Sequence, residues 1–168
     1  MSAGVNCKFN HVALSVDNCD AAAKWYMETL GFRRIIPNAT MHRTQDPDGI
    51  VFRVYGDDLH HVKVAYLGTG NQIGIEIFEF IDPNYRGGTT TSPTPFNPQA
   101  WTQGGFFHIA VTAPDPEALA MKVVQAGGKE FGQAVILPNG EQARYVQDPW
   151  GNVFEICSTD FDSLITPR

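Results

Sequence analysis

Apolar residues along the chain fall first into a short extended run, then into a helical one, and the same succession occurs twice. Phe9-Asn10-His11-Val12-Ala13-Leu14-Ser15-Val16 recurs as Phe106-Phe107-His108-Ile109-Ala110-Val111-Thr112-Ala113, an offset of 97 positions. Each run reads as a strand. Downstream, Ala22, Trp25, Tyr26 and Leu30 repeat at helical spacing, as do Leu119, Val123 and Ala126. This predicts helices from about Cys19 to Leu30 and from Asp115 to Ala126, with the aromatic pair facing the core. Asn18 and Asp115 are suited to cap the helix starts, and Gly31 and Gly127-Gly128 to stop the helices. Extended segments follow near Phe32 to Ile36, His61 to Leu67 and Gly74 to Phe80. In the second half they lie near Ala134 to Leu137, Ala143 to Gln147 and Asn152 to Ser158. Each half therefore reads strand-helix-strand-strand-strand.

The halves differ in length. His11 to Glu76 spans 65 positions and His108 to Glu155 spans 47, an excess of 18 in the first half. The excess falls between Pro37 and Asp57. There the turn signal Asp46-Pro47-Asp48-Gly49 precedes the alternating Val51-Phe52-Arg53-Val54-Tyr55, which predicts an inserted hairpin or loop. The segment from Ile81 to Gly105 is rich in Gly, Thr and Pro and reads either as a surface linker or as a lid over a site. With 168 residues, the chain is expected to be one domain of two repeats. Module one covers 8–80 with an insertion at about 38–57, the connector 81–105, module two 106–158 and a C-terminal tail 159–168.

Composition narrows the class. A hydrophobic fraction of 43% against 18% charged residues is enough to build a core. A net charge of −6 without a basic run argues against nucleic acid and anionic membrane as partners. No apolar stretch is long enough to span a bilayer, and the first six residues lack signal-peptide character. Three cysteines without paired spacing, Cys7, Cys19 and Cys157, fit a reduced, cytoplasmic protein better than a disulfide scaffold.

The candidate chemistry sits in the repeat. Ile75-Glu76-Ile77 closes the first half and Phe154-Glu155-Ile156 the second. On a strand, each Glu has its immediate neighbours on the opposite face and shares its own face with Gly74 and Phe78, or with Val153 and Cys157. A carboxylate on such an apolar surface calls for a cation or hydrogen bonds. Brought together, His11, Glu76, His108 and Glu155 would offer two nitrogens and two oxygens to one divalent ion such as Zn, Ni, Co, Mn or Fe. The alternative is a pair of buried Glu–His hydrogen bonds without metal. Glu79, three positions from Glu76, belongs on the other face.

Four strings together, Asn10-His11-Val12-Ala13, Gly74-Ile75-Glu76-Ile77, Phe107-His108-Ile109-Ala110 and Asp148-Pro149-Trp150-Gly151-Asn152-Val153-Phe154-Glu155-Ile156, resemble the vicinal oxygen chelate superfamily. That superfamily includes glyoxalase I, methylmalonyl-CoA epimerase, fosfomycin resistance proteins and extradiol dioxygenases. The resemblance covers about Phe9 to Cys157. It implies an α+β fold of two paired βαβββ modules forming a curved mixed sheet around a central metal cavity. It also implies metal ligands at His11, Glu76, His108 and Glu155, with Glu155 as the base and Glu76 as its symmetric counterpart. The implied activity is that of a metal-dependent lyase or isomerase. The ion would chelate adjacent oxygens of a small substrate, and a proton would pass through an enediolate or enolate.

Departures from the pattern shape the alternatives. The epimerases carry a second acid on the third strand of the first half, where this chain has His60-His61-Val62-Lys63-Val64. A glutathione pocket needs cations, and Arg33, Arg34, Lys63 and Arg86 form no motif. An Fe(II) oxygenase, using two His and one Glu, is the runner-up. A non-catalytic small-molecule binder is the third reading. Candidate substrate contacts are His61, Lys63, Arg144, Tyr145 and Cys157. A homodimer is expected, with the metal site held within one chain or shared between two.

Overall fold

The computed structural model describes residues 7–99 and 102–166. The first six residues, positions 100–101 of the connector and the last two of the tail lie outside the described residues. The chain divides into two compact units, Met1–Arg86 and Gly87–Arg168. The connector expected over 81–105 is thus shared out, its first residues going with unit 1 and the rest with unit 2.

Unit 1 runs β1 (His11–Ser15), α1 (Cys19–Leu30), β2 (Arg33–His42), α2 (Ile50–Tyr55), β3 (His61–Gly68) and β4 (Gly74–Asp82). Its four strands form one sheet in the order β1-β4-β3-β2. β1 pairs with β4 in parallel, and the other pairings are antiparallel. The Asn18 side chain accepts a hydrogen bond from Ala21 N at 2.9 Å and caps α1 as expected. α1 packs on β3 and β4 and buries Ala22, Ala23, Trp25 and Tyr26. Glu79 lies on this helix-covered face. Its carboxylate accepts from Cys19 N at 2.8 Å, a second cap on the start of α1 supplied by the sheet.

The insertion is not a hairpin. β2 continues through His42, and Ile50–Tyr55 form the short helix α2 on the sheet face away from α1. The alternation of Val51 to Tyr55 was compatible with a strand, yet burial of Phe52 decides the outcome. Phe52 enters a cluster with Leu59, Val62, Val64 and Phe78. Arg43 then fixes the end of the helix. Its guanidinium donates to Leu59 O at 2.8 Å and to Phe52 O at 3.4 Å, also bonds Gly56 O, and lies 4.9 Å over the Phe52 ring.

Unit 2 runs β5 (Ile109–Thr112), α3 (Pro116–Gln125), β6 (Lys129–Ile136), β7 (Gln142–Gln147), β8 (Val153–Cys157) and a short α4 (Phe161–Ile165). The sheet order β5-β8-β7-β6 repeats that of unit 1, again with a parallel first pair. The expected strand-helix-strand-strand-strand order is therefore present in both halves, although β6 begins at Lys129 rather than near Ala134. Asp115 caps α3 through Ala118 N at 2.9 Å. Gly128 N donates to Val123 O and Gly127 N to Val124 O, ending the helix.

The turn before β8 is built around the buried Asp148. Its carboxylate accepts from Trp150 N at 3.0 Å, Asn152 N at 2.8 Å and Asn152 Nδ2 at 2.8 Å. Gly151 has φ of 95°, and a Cβ there would lie 2.4 Å from Thr94 O. Glycine is needed at this point because the connector rests directly on the turn. Thr94 N also donates to Trp150 O at 3.1 Å. Among the described residues, no helix is long and apolar enough to cross a membrane.

Arg43→Ala should lower stability by about 1–2 kcal/mol through loss of charged donors to carbonyl oxygens. Urea unfolding reads the change. Hydrogen exchange should rise across residues 50–55 while β4 keeps its protection. Unchanged exchange in the helix would show that Arg43 does not hold it.

Candidate metal and substrate site

The parallel pairs set the geometry. In unit 1, His11 lies opposite Gly74 and Ala13 opposite Glu76. In unit 2, Ala110 lies opposite Glu155. The Glu thus stands across from the residue two positions after the His in both units, and His and Glu share a face. His11 Nε2 is 3.6 Å from a Glu76 carboxylate oxygen, and His108 Nε2 is 3.4 Å from one of Glu155. The second pair is the more enclosed, with side-chain exposures of 25% and 16% against 48% and 28%. This difference decides which carboxylate is better shielded from water.

The donor set fits a cation. Asn10 Oδ1 is 2.7 Å from His11 Nδ1, and this carbonyl oxygen can only accept, which assigns the proton to Nδ1. In the neutral imidazole, Nε2 then turns an unshared electron pair towards the Glu76 carboxylate. Two electron-rich groups facing each other at 3.6 Å are a pair that a metal ion would hold together. A side-chain carbonyl on the non-ligating nitrogen is a common way to orient a metal-binding His. Each unit supplies one His–Glu pair, although His108 Nδ1 is buried without a hydrogen-bond partner equivalent to Asn10. Among the described residues, no group of three or more His, Cys, Asp or Glu converges as a complete site.

A third member of the repeat escaped the sequence reading. Tyr66 faces Glu76 across β3 and β4, and Tyr145 faces Glu155 across β7 and β8. In both halves the Tyr precedes the Glu by ten positions, a spacing the sequence displays. Burial and the nearby Glu155 carboxylate push the Tyr145 phenol up to about 12, and its hydroxyl hydrogen-bonds Glu155. The Tyr66 phenol is also raised, first by burial and then by Glu76. Tyr145 was anticipated and Tyr66 was not.

Other anticipated contacts are placed differently. Cys157 shares the face of Glu155. Burial, followed by the Glu155 charge, raises its thiol to about 11, so it stays protonated at neutral pH and acts as a small apolar wall. Lys63 lies opposite Glu79, on the helix-covered face, and pairs with Asp20. Arg144 points to the corresponding face of unit 2, held by Glu130 at 2.8 Å and Glu117 at 3.2 Å. His61 stacks on His42 at 3.8 Å between ring centroids, next to Lys63 in the outward alternation of β3. His61, Lys63 and Arg144, expected as substrate contacts, thus lie on the face opposite the glutamates. The period of the strand turns all three away from the Glu-bearing face.

Each His–Glu face is covered by a different segment. In unit 1, α2 and the loop before it enclose a cavity of about 560 Å³ that reaches His11, Tyr66 and Glu76 and includes Asp46. In unit 2, connector residues 94–97 cover a cavity of about 520 Å³ that reaches His108 and Tyr145. The connector acts as a cover rather than as a free surface linker.

Comparison with known proteins agrees with this architecture. The sequence profile of the Glyoxalase/Bleomycin resistance protein/Dioxygenase superfamily matches residues 8–156, and the chain belongs to that superfamily. Among solved structures, it is similar to a glyoxalase family protein from Bacillus cereus, at 19% identity and a TM-score of 0.70 over 94% of this chain and 97% of that one. It is also similar to a glyoxylase/bleomycin resistance protein/dioxygenase domain from Frankia sp. EAN1pec, at 17% identity and a TM-score of 0.59, covering 91% and 92% of the two chains. Glyoxalase I from Zea mays aligns at 22% identity and a TM-score of 0.58 over 90% of this chain but only 44% of its own length. At these identities the likeness is one of fold. No curated protein sequence matches the chain.

Difference ultraviolet titration of wild type against Tyr145→Phe should isolate one phenol ionising near 12 rather than near its ordinary value of 10. Because the folded-state value is the higher one, its contribution to stability is intact below pH 10 and is lost as pH rises towards 12. A difference phenol that titrates near 10 would remove the contact with Glu155.

Proposed function

We propose that this chain is a metal-dependent enzyme of glyoxalase type, a lyase or isomerase, in a reduced cytoplasmic setting. Its proposed ligand set is His11, Glu76, His108 and Glu155 on one divalent ion, Zn, Ni, Co, Mn or Fe. The observation that carries the reading is the duplicated pair itself. The same residue types stand at the same strand register and at near-equal separations in two units. Two equivalent pairs also count against a three-ligand oxygenase, which would leave Glu76 without a duty.

The bound ion would polarise adjacent oxygens of a small substrate and acidify the neighbouring carbon. Glu155 is the favoured base, with Glu76 as its counterpart. Glu155 is the more enclosed of the two carboxylates, with a side-chain exposure of 16% against 28% for Glu76. The Tyr145 hydroxyl orients it, and Tyr66 stands in the equivalent place beside Glu76. His11 is held in its metal-binding tautomer by Asn10. The substrate carries vicinal oxygens, and nothing in the charge or the faces described calls for nucleic acid or membrane. Large apolar side chains left exposed, Ile50, Val54 and Phe106 among them, support a homodimer.

Calorimetric titration should show uptake of one divalent ion per ligand set. His108→Ala should weaken it by more than the roughly 10–100-fold that loss of a ligand's hydrogen-bonding partner costs. Glu155→Gln should reduce solvent deuterium exchange at the acidified carbon of a 2-oxo or 2-hydroxycarbonyl substrate by about 10²–10⁴-fold. Wild-type protein that binds no divalent ion would sink the proposal, as would a Glu155→Gln variant with undiminished exchange.

A further inference from the structure

We infer that the cavity of unit 2 is a binding site for a neutral, planar aromatic group, which makes the substrate an aromatic compound with its oxygens adjacent to the ring-bearing end. The inference rests on the proposed function for the oxygen end only. The ring end stands on the cavity itself.

Rings line the route from the connector to His108. Phe96 meets Phe131 at 4.0 Å between centroids, Phe131 lies 6.0 Å from Tyr145, and Tyr145 meets the His108 imidazole edge-on at 5.5 Å. Phe107 lies 4.8 Å beyond His108, again edge-on. The separations of 4.8, 5.5 and 6.0 Å are those at which aromatic rings attract one another beyond simple burial, and the Phe96–Phe131 pair is closer still. A planar guest extends such a series, whereas a flexible aliphatic chain gains only area.

Charge sharpens the class. Among the described residues that line this cavity there is no Lys, Arg, Asp or Glu. Gln147, the most enclosed polar group of the wall, is already engaged. Its amide donates to Gly151 O at 2.9 Å and to Thr94 O at 3.4 Å. Arg144, the cation nearest along the strand, is turned to the other face between Glu117 and Glu130. A carboxylate, phosphate or sulfonate entering here would lose water and find no cation in return. The cavity of unit 1 differs, since it carries Asp46 and Glu76. The aromatic end therefore belongs to unit 2. A volume of about 520 Å³ is ample for a one- or two-ring group.

The test is calorimetric titration of the full chain with three probes of one bicyclic carbon skeleton: planar naphthol, its puckered saturated counterpart decahydronaphthol, and naphthalenesulfonate. Naphthol should bind with one site per chain. The saturated alcohol should bind about 3–10-fold more weakly, and the sulfonate at least about tenfold more weakly. Phe131→Ala should weaken naphthol about tenfold, and Val153→Phe, which fills the cavity instead of opening it, should weaken it as much. Circular dichroism melting establishes that both variants fold. Equal binding of the sulfonate or of the saturated alcohol would overturn the inference, as would naphthol affinity unmoved by both substitutions. Repeating the titration after chelator treatment separates the two proposals. Naphthol binding in protein that takes up no divalent ion overturns the metal reading and leaves the aromatic site standing. Metal uptake without naphthol binding overturns the aromatic site alone.

Discussion

The register of the parallel strand pair is the constraint on which everything else depends. A first strand can lie parallel beside a last one only if the intervening chain crosses over, and in each unit the helix and two strands in between make that crossing. Once β1 lies along β4, and β5 along β8, the His and the Glu fall on one face without further adjustment. A slip of one residue would carry the Glu to the helix-covered side, among Ile75 and Ile77 or Phe154 and Ile156, which are almost fully buried. Burial of those apolar neighbours therefore secures the position of the carboxylates. The core specifies the site by being intolerant of any other register.

The two faces of each sheet do different work. The helix-covered face uses its charges structurally. Glu79 caps α1, Lys63 pairs with Asp20, and Arg144 bridges Glu117 and Glu130. The other face gathers the His, Glu and Tyr side chains of the repeat and surrounds them with rings and small apolar residues. The division follows from the two-residue period of a strand, because adjacent residues such as Arg144 and Tyr145 must serve opposite sides.

How far the sequence could be read depended on which signal each element carried. The His–Glu frame, α1, α3 and both caps were legible because repeats, helical spacing and capping residues are local properties. The helix α2 was not. Six residues, Ile50–Tyr55, are too few to separate helical from alternating spacing, and the choice fell to the pocket beneath Phe52. The facing of Lys63 and Arg144 follows from strand positions counted from Tyr66 and Tyr145, which residue type alone does not convey. Tyr66 itself was readable, since it repeats Tyr145 at the same distance from its Glu. The path of the connector, by contrast, is set by contacts of Thr94 with Trp150 and Gly151 that no local pattern encodes.

The two covering segments, α2 in one unit and the connector in the other, have no counterpart in each other. The strand pairings cannot drift without losing register, whereas each cover is held by contacts of its own, with Phe52 of α2 also buried in the cluster beneath it. Arg43 anchors one, and the Thr94 contact with the Asp148 turn anchors the other. Inheritance can therefore act on them separately. Substitutions that reshape a cover leave the paired strands intact, and those that touch the pairings are removed by selection for folding. A fold arranged this way is able to reshape what lies over each His–Glu face while keeping the face itself, and the two halves are able to diverge independently of one another.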